Sequence, residues 1–177
     1  MTILVFDATV VSHFARAGHL ESLHRITSGS RCVMPAEVMK ELLAGAPEYP
    51  ALARVVTADW IEVVDVEDVQ EIVQFARYKS EFGGGSDRNI GEAAVLAWAA
   101  SHMATAIVDD AVASRAARRD GIDVHGTLWL LVIGIRSGVL DRGEAERIVD
   151  DLAATEMRLP VDGPGLFAWA YEEGWLS

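Results

Sequence analysis

One cysteine is too few for an internal disulfide, and Cys32, with no Cys or His partners at ligand spacing, anchors no zinc site. It reads as a small buried hydrophobe. Long apolar runs are missing as well. Stretches such as "TLWLLVIGI" fall well short of the roughly 20 residues that span a bilayer, and no basic segment leads into an apolar signal region at the amino terminus. A cytoplasmic protein with no membrane partner is the expectation. Positive charge is the third scarcity. Fifteen Lys and Arg face 27 Asp and Glu, a formal net charge of −12, so the broad basic footprint of a nucleic-acid binder is absent. Such an acidic excess suits carboxylates gathered around divalent cations, or a surface made for a basic partner. What is plentiful is apolar: 51% of the 177 residues are hydrophobic, enough for one globular domain with a sizeable core and no case for disorder.

Strand-like and helix-like segments alternate along the chain. "ILVFD" is a short apolar run of the buried-strand kind, and "ATVVSHFARAG" carries helical periodicity to a glycine stop. "RCVMP" reads as the second strand; Pro35 suits a helix start, and "AEVMKELLAG" is that helix. "WIEVVDV" and "EDVQEIVQFARYKSEF" form a third strand and helix. "GGGSDRN" is the strongest break in the chain, and without the lysine of a phosphate-binding loop it reads as a hinge. Next come the helix "IGEAAVLAWAASHM", the strand "ATAIVDD", the helix "AVASRAARRDG" and the short strand "IDVHG". There the alternation stops: "TLWLLVIGIRSG" and "DRGEAERIVDDLAATE" are two helices, and "GPGLFAWAYEEGWLS" is a tail. Repeated βα units predict a parallel sheet with helices on both faces and right-handed crossovers. In such sheets ligand sites collect at the carboxyl ends of the strands, where the strand order reverses.

Asp7 closes the first strand, and Asp109 with Asp110 closes the fourth, so a parallel sheet brings all three to one edge. Glu41, on the helix opened by Pro35, and Glu92, in the first turn of an otherwise apolar helix, sit where this topology could aim them at the same edge. Clustered carboxylate oxygens suit a hard cation, and Mg²⁺ or Mn²⁺ held there lowers the pKa of a bound water and stabilises charge building on a phosphodiester. Each residue also has a plainer reading. Asp7 and Asp110 fit as helix N-caps, Glu92 as a complement to the positive end of its helix, and Glu41 as part of a solvated face. Aspartates ending strands on two separate βα units weigh toward the metal site. Other candidates are weaker. His13, His19, His24, His102 and His125 are scattered, Ser12 has no evident base, and Thr127 reads as an N-cap. Arg115, Arg118 and Arg119 form the one compact basic cluster, either steering phosphate or lying on a solvated helix face. Trp169 and Trp175 in the tail either pack onto the domain or serve a groove or dimer contact.

Taken in order, these elements resemble the PIN domain, a group of Mg²⁺/Mn²⁺-dependent nucleases that includes the VapC toxins of bacterial toxin–antitoxin pairs. "VFDATVV" resembles the family's opening strand with its Asp and a nearby Ser or Thr, here Asp7 and Thr9. "PAEVMKELLAG" is similar to the family's Pro-x-x-Val-x-x-Glu-Leu element, which gives the acidic role to Glu41 rather than Glu37. "GEAAVLAWA" resembles the third acidic element and gives Glu92; "IVDDAVASRAA" resembles the fourth and gives Asp110 with Asp109 beside it. "GIDVHGTLWLLVIGIRSGVL" resembles a branch in which a Gly-Thr-Leu element precedes two further helices.

The resemblance covers roughly residues 2 to 140. It implies a three-layer α/β/α sandwich around a central parallel sheet, with additional C-terminal helices: one domain over 1–177, a core over about 2–126 and an extension over about 127–177. It implies an endoribonuclease in which Asp7, Glu41, Glu92 and Asp110 hold Mg²⁺ or Mn²⁺. Asp109 joins the metal set directly or from behind, Thr9 orients a water or ligand, and Arg115 assists. RNA is the implied substrate, a homodimer the implied assembly, and a cognate antitoxin the implied partner in the toxin branch. A second reading stays open, in which a weakly active or inactive PIN-like module binds RNA or a protein. Phosphotransfer domains, which also use strand-end aspartates, fit less well, because the dehalogenase type places a second Asp where Thr9 stands.

Overall fold

The computed structural model describes residues 1–83 and 89–176. Five strands make one sheet: β1 (Ile3–Phe6), β2 (Arg31–Pro35), β3 (Ile61–Val64), β4 (Thr105–Ile107) and β5 (Val124–His125). Their spatial order is β3-β2-β1-β4-β5, and every pairing is parallel. The chain therefore begins at the centre, builds outward to one side through β3, and returns to build the other side. Strand order reverses between β1 and β4, which makes their carboxyl ends the place for a site. Leu4, Val5 and Phe6 are all buried, the continuous apolar run that a strand covered on both faces requires.

The helices are α1 (Ala8–Arg16), α2 (Leu20–Thr27), α3 (Ala36–Gly45), α4 (Ala53–Val56), α5 (Val69–Glu81), α6 (Ile90–His102), α7 (Ala111–Arg119), α8 (Thr127–Arg136), α9 (Arg142–Ala154) and α10 (Leu166–Glu172). α1 packs with α2, α3 and α9, and α2 with α8. On the other side α6 lies against β1, β2 and β4 and packs with α5 and α7. This is the three-layer α/β/α sandwich expected from the βα alternation. Residues Ala93 to Ala99 of α6 are all buried, and the alanines let neighbouring backbone approach from every side. α3 and α6 also touch each other, which brings two helices together beside the strand reversal.

Several elements differ from expectation, each for a local reason. β4 stops at Ile107 rather than running through "VDD": Asp109 turns aside to a bond with the start of α8, and Asp110 turns the chain into α7. Thr127, expected as an N-cap, is the first helical residue, and Gly126 occupies the cap. α2, α4 and α10 are not evident in the sequence pattern, being only eight, four and seven residues long, too short for a 3.6-residue period to declare itself. Of the expected hinge "GGGSDRN", residues 84–88 lie outside the described residues. Cys32 is buried, and the tail tryptophans pack inward: Trp175 meets both Trp169 and His125 edge-on, while His125 stacks flat on Trp129 at 4.0 Å. Among the described residues no helix is long and apolar enough to cross a membrane.

Candidate active site

Asp7 and Asp110 are both helix N-caps. Asp7 Oδ2 accepts from the Thr9 backbone N–H at 3.3 Å, and Asp110 Oδ1 accepts from the N–H groups of Val112 and Ala113 at 2.8 Å each. Each carboxylate commits one oxygen to its helix and keeps the other, so the capping role leaves an oxygen free of it. The backbone N–H of Asp7 also donates to the Ile107 carbonyl at 3.2 Å, stitching the end of β1 to that of β4. Asp110 is exposed, whereas Asp7 is only 2% exposed.

Glu41 and Glu92 arrive from α3 and α6. The residue that joins them to Asp7 is Gly91, where an added Cβ would lie 3.0 Å from Glu41 Oε2 and 3.6 Å from Asp7 Oδ1. Both carboxylates thus flank a single backbone position, and the missing side chain there is what lets them approach. Their electrostatics agree. Burial first, then the charges of Glu92 and Glu41, push the Asp7 carboxyl up to about 8. Burial and Glu92 raise Glu41, while burial and Asp110 raise Glu92. Asp7, Glu41 and Glu92 therefore form a cluster of repelling carboxylates that resists full ionisation without a counter-charge, and the charge of Asp110 reaches it through Glu92.

This donor set fits a hard divalent cation, since every atom of the set is a carboxylate oxygen rather than a thiolate or an imidazole nitrogen. Among the described residues no three such side chains already stand at ligand distances around one point. The quartet is adjacent rather than converged. Glu41 and Glu92 have arms longer by one methylene than the two aspartates, and neither is held by a side-chain hydrogen bond to another described residue.

Asp109 is placed differently. Its Oδ1 accepts from the Thr127 backbone N–H at 2.9 Å and its Oδ2 from the Thr127 hydroxyl at 2.7 Å. Burial raises its pKa, and these two bonds pull against that rise. A Cβ at Gly126 would collide with Asp109 Oδ1, so glycine is needed for this approach. Thr9 is exposed and contributes its backbone N–H to Asp7. Arg115 is exposed on α7, slightly more than one turn beyond Asp110. The basic cluster does not act as a unit, because Arg119 is tied to Glu81 and Asp120.

Sequence reasoning passed over Gly91, although it directly precedes Glu92, and Lys40, although it neighbours Glu41. Lys40, Phe75 and Glu37 join Glu41, Gly91 and Glu92 around a cleft of about 710 Å³. Glu37 Oε2 is buried there without a hydrogen-bond partner among the described residues.

A centrally started, all-parallel sheet with aspartates at its reversal point, sandwiched between helices, defines an α/β domain of nuclease type. The family model described as DUF3368, a PIN domain, matches residues 3–163, and the chain belongs to the PIN-domain family. The matched span takes in α8 and α9 as well as the whole sheet. PIN domains are generally nucleases and typically depend on divalent metal. A comparison with curated proteins gave no match.

Proposed function

We propose that this protein is an endoribonuclease requiring Mg²⁺ or Mn²⁺, held by Asp7, Glu41, Glu92 and Asp110. The observation that carries this reading is the carboxylate cluster itself: four acidic groups from four separate elements at the β1–β4 reversal, with Asp7, Glu41 and Glu92 raised by burial and by neighbouring negative charge. A divalent cation bound there would supply positive charge for the phosphoryl oxygens and an acidified water.

The chain's own residues divide the remaining work. Asp7, buried and anchored to Thr9, is the fixed wall of the site, while Glu41 and Glu92 adjust around it. Asp109 holds the strand end from behind through Thr127, which orients Asp110. Lys40, which lines the cleft, and Arg115, exposed on α7, would meet phosphates. In the net reaction a water oxygen joins phosphorus as the bond from phosphorus to O3′ breaks. One water proton ends on O3′ and the other on the phosphate, leaving 3′-hydroxyl and 5′-phosphate ends.

A toxin role, a cognate antitoxin with a basic segment for the acidic cleft, a homodimer and a cytoplasmic setting form the outer part of this proposal and rest on family likeness alone. The core of it is tested by cleavage of structured and single-stranded RNAs by wild type and Asp7→Asn, with Mg²⁺, Mn²⁺ or EDTA. Metal-dependent cutting that is lost in the variant is the expected result. No cutting by folded protein with either metal would shift the reading to a non-catalytic module that binds RNA or a protein partner.

A further inference from the structure

Thr9, Ser12, His13 and Arg16 fall on one face of α1 by their spacing, while Val10, Val11, Phe14 and Ala15 are buried. Thr9, Ser12 and His13 line a pocket of about 230 Å³ together with Tyr49 and Glu41. Glu41 also lines the larger cleft, so the two spaces share that carboxylate. The small one is below the roughly 300–1,000 Å³ typical of drug-sized ligand sites, which suits a sugar-scale group.

His13 has its tautomer set by a neighbour. The Thr155 hydroxyl has one proton, and its Oγ1 lies 2.6 Å from the Leu152 carbonyl, which can only accept. The same Oγ1 lies 2.6 Å from His13 Nδ1. With its proton given to Leu152, Thr155 must accept from His13, so Nδ1 carries the ring hydrogen. Burial and the charge of Arg16 hold the His13 pKa below its usual value, which keeps the ring neutral. Nε2 is then a bare lone pair. It makes no hydrogen bond with a described residue, and it is not among the buried unpaired atoms, so it remains accessible.

A lone pair beside a nuclease centre needs a donor from the substrate. Phosphate oxygens at neutral pH offer acceptors, and a deoxyribose within a strand offers no donor, but the 2′-hydroxyl of ribose donates and accepts. We infer that this pocket takes the ribose next to the scissile bond and that His13 Nε2 accepts from its 2′-hydroxyl, so that His13 selects RNA over DNA. Ser12, whose hydroxyl makes no hydrogen bond with a described residue, lines the same pocket and supplies the complementary donor. The placement of the strand across Glu41 rests on the nuclease reading above. Thr155 acts through His13 and is a positioning residue.

The test separates binding from cutting by using Asp7→Asn protein with Mg²⁺ and one fluorescent oligonucleotide sequence, made as RNA and as its 2′-deoxy counterpart with uracil retained. Anisotropy titrations should show RNA bound roughly three- to tenfold more tightly, the range expected of one hydrogen bond. Adding His13→Ala should bring the two to equality by weakening RNA alone. Thr155→Val keeps the imidazole but releases its tautomer, and should give an intermediate ratio even if His13→Ala proves unstable. A ratio near one before His13 is changed, or a ratio that neither variant alters, overturns the inference; a base amino group as the true donor would produce that result. Persistence of the ratio in a protein whose wild type cuts no RNA would overturn the nuclease reading and leave this one standing.

Discussion

Asp109 and Thr127 are joined by two hydrogen bonds, the backbone N–H and the hydroxyl of one threonine serving the two oxygens of one carboxylate across 18 positions of sequence. The pair bolts the start of α8 to the segment that follows β4, immediately before Asp110. Thr127→Val keeps the backbone bond, removes the hydroxyl and leaves a buried carboxylate oxygen unpaired. A loss of about 1–3 kcal/mol is expected, read as a lower urea midpoint. Asp109→Asn should keep most Mn²⁺ affinity while Asp110→Asn loses it, which calorimetric titration of the two variants would decide.

Gly91→Ala should divide stability from function. Alanine is the better helix former by about 1 kcal/mol, so the folded state should hold or gain. The new methyl would press on Glu41 and Asp7, and Mn²⁺ affinity should fall by about tenfold or more, as when the support of a metal ligand is disturbed. Thermal melts alongside metal titration check both halves.

The metal-free protein should become less stable as pH rises through the neutral range. Asp7 titrates near 8 in the folded chain against 3.8 as its ordinary value, so folding favours its protonated form. That contribution is complete below about pH 4 and is lost as pH climbs through about 8. In EDTA, the urea midpoint should be higher near about pH 5 than near about pH 9, and Asp7→Asn should flatten the difference. An unchanged slope in the variant would remove Asp7 as its source.

Tyr78 is fully buried, and its hydroxyl donates to Asp120 at 2.9 Å, where Arg77 and Arg119 also converge. Tyr78→Phe should cost about 1 kcal/mol of stability, with Asp120 still served by both arginines. RNA cleavage per folded molecule should be unchanged, because this knot ties α5 to the end of α7, away from the carboxylates.

Much of the candidate site was legible in the sequence, for reasons that differ by residue. Asp7 and Asp110 follow apolar runs and precede helical ones, so strand end and cap position could be read locally. Glu41 and Glu92 needed the order of motifs, because helical periodicity does not say which neighbouring helix a face will meet. Gly91 and His13 were out of reach: one matters through a gap between α3 and α6, the other through a threonine 142 positions away. Fold class came from alternation alone. The two-residue β5 and the short α4 were expected too long or not at all, since their geometry is imposed by neighbours rather than by their own residues.

The capping role of Asp7 and Asp110 bears on how inactivity in this chain would be interpreted, in a genetic screen or in its descendants. Alanine at either position costs about 1 kcal/mol at a helix end besides any chemical loss, so a selection for dead variants would mix collapsed proteins with intact ones. Asparagine retains the cap and isolates the chemistry. Over evolutionary time the same duty would keep a short polar residue at both places after cleavage had been abandoned. Glu41, inside α3 with no helix end to serve, carries no such insurance, and on the proposed nuclease reading its replacement would be the earlier mark of a lineage that no longer cut RNA.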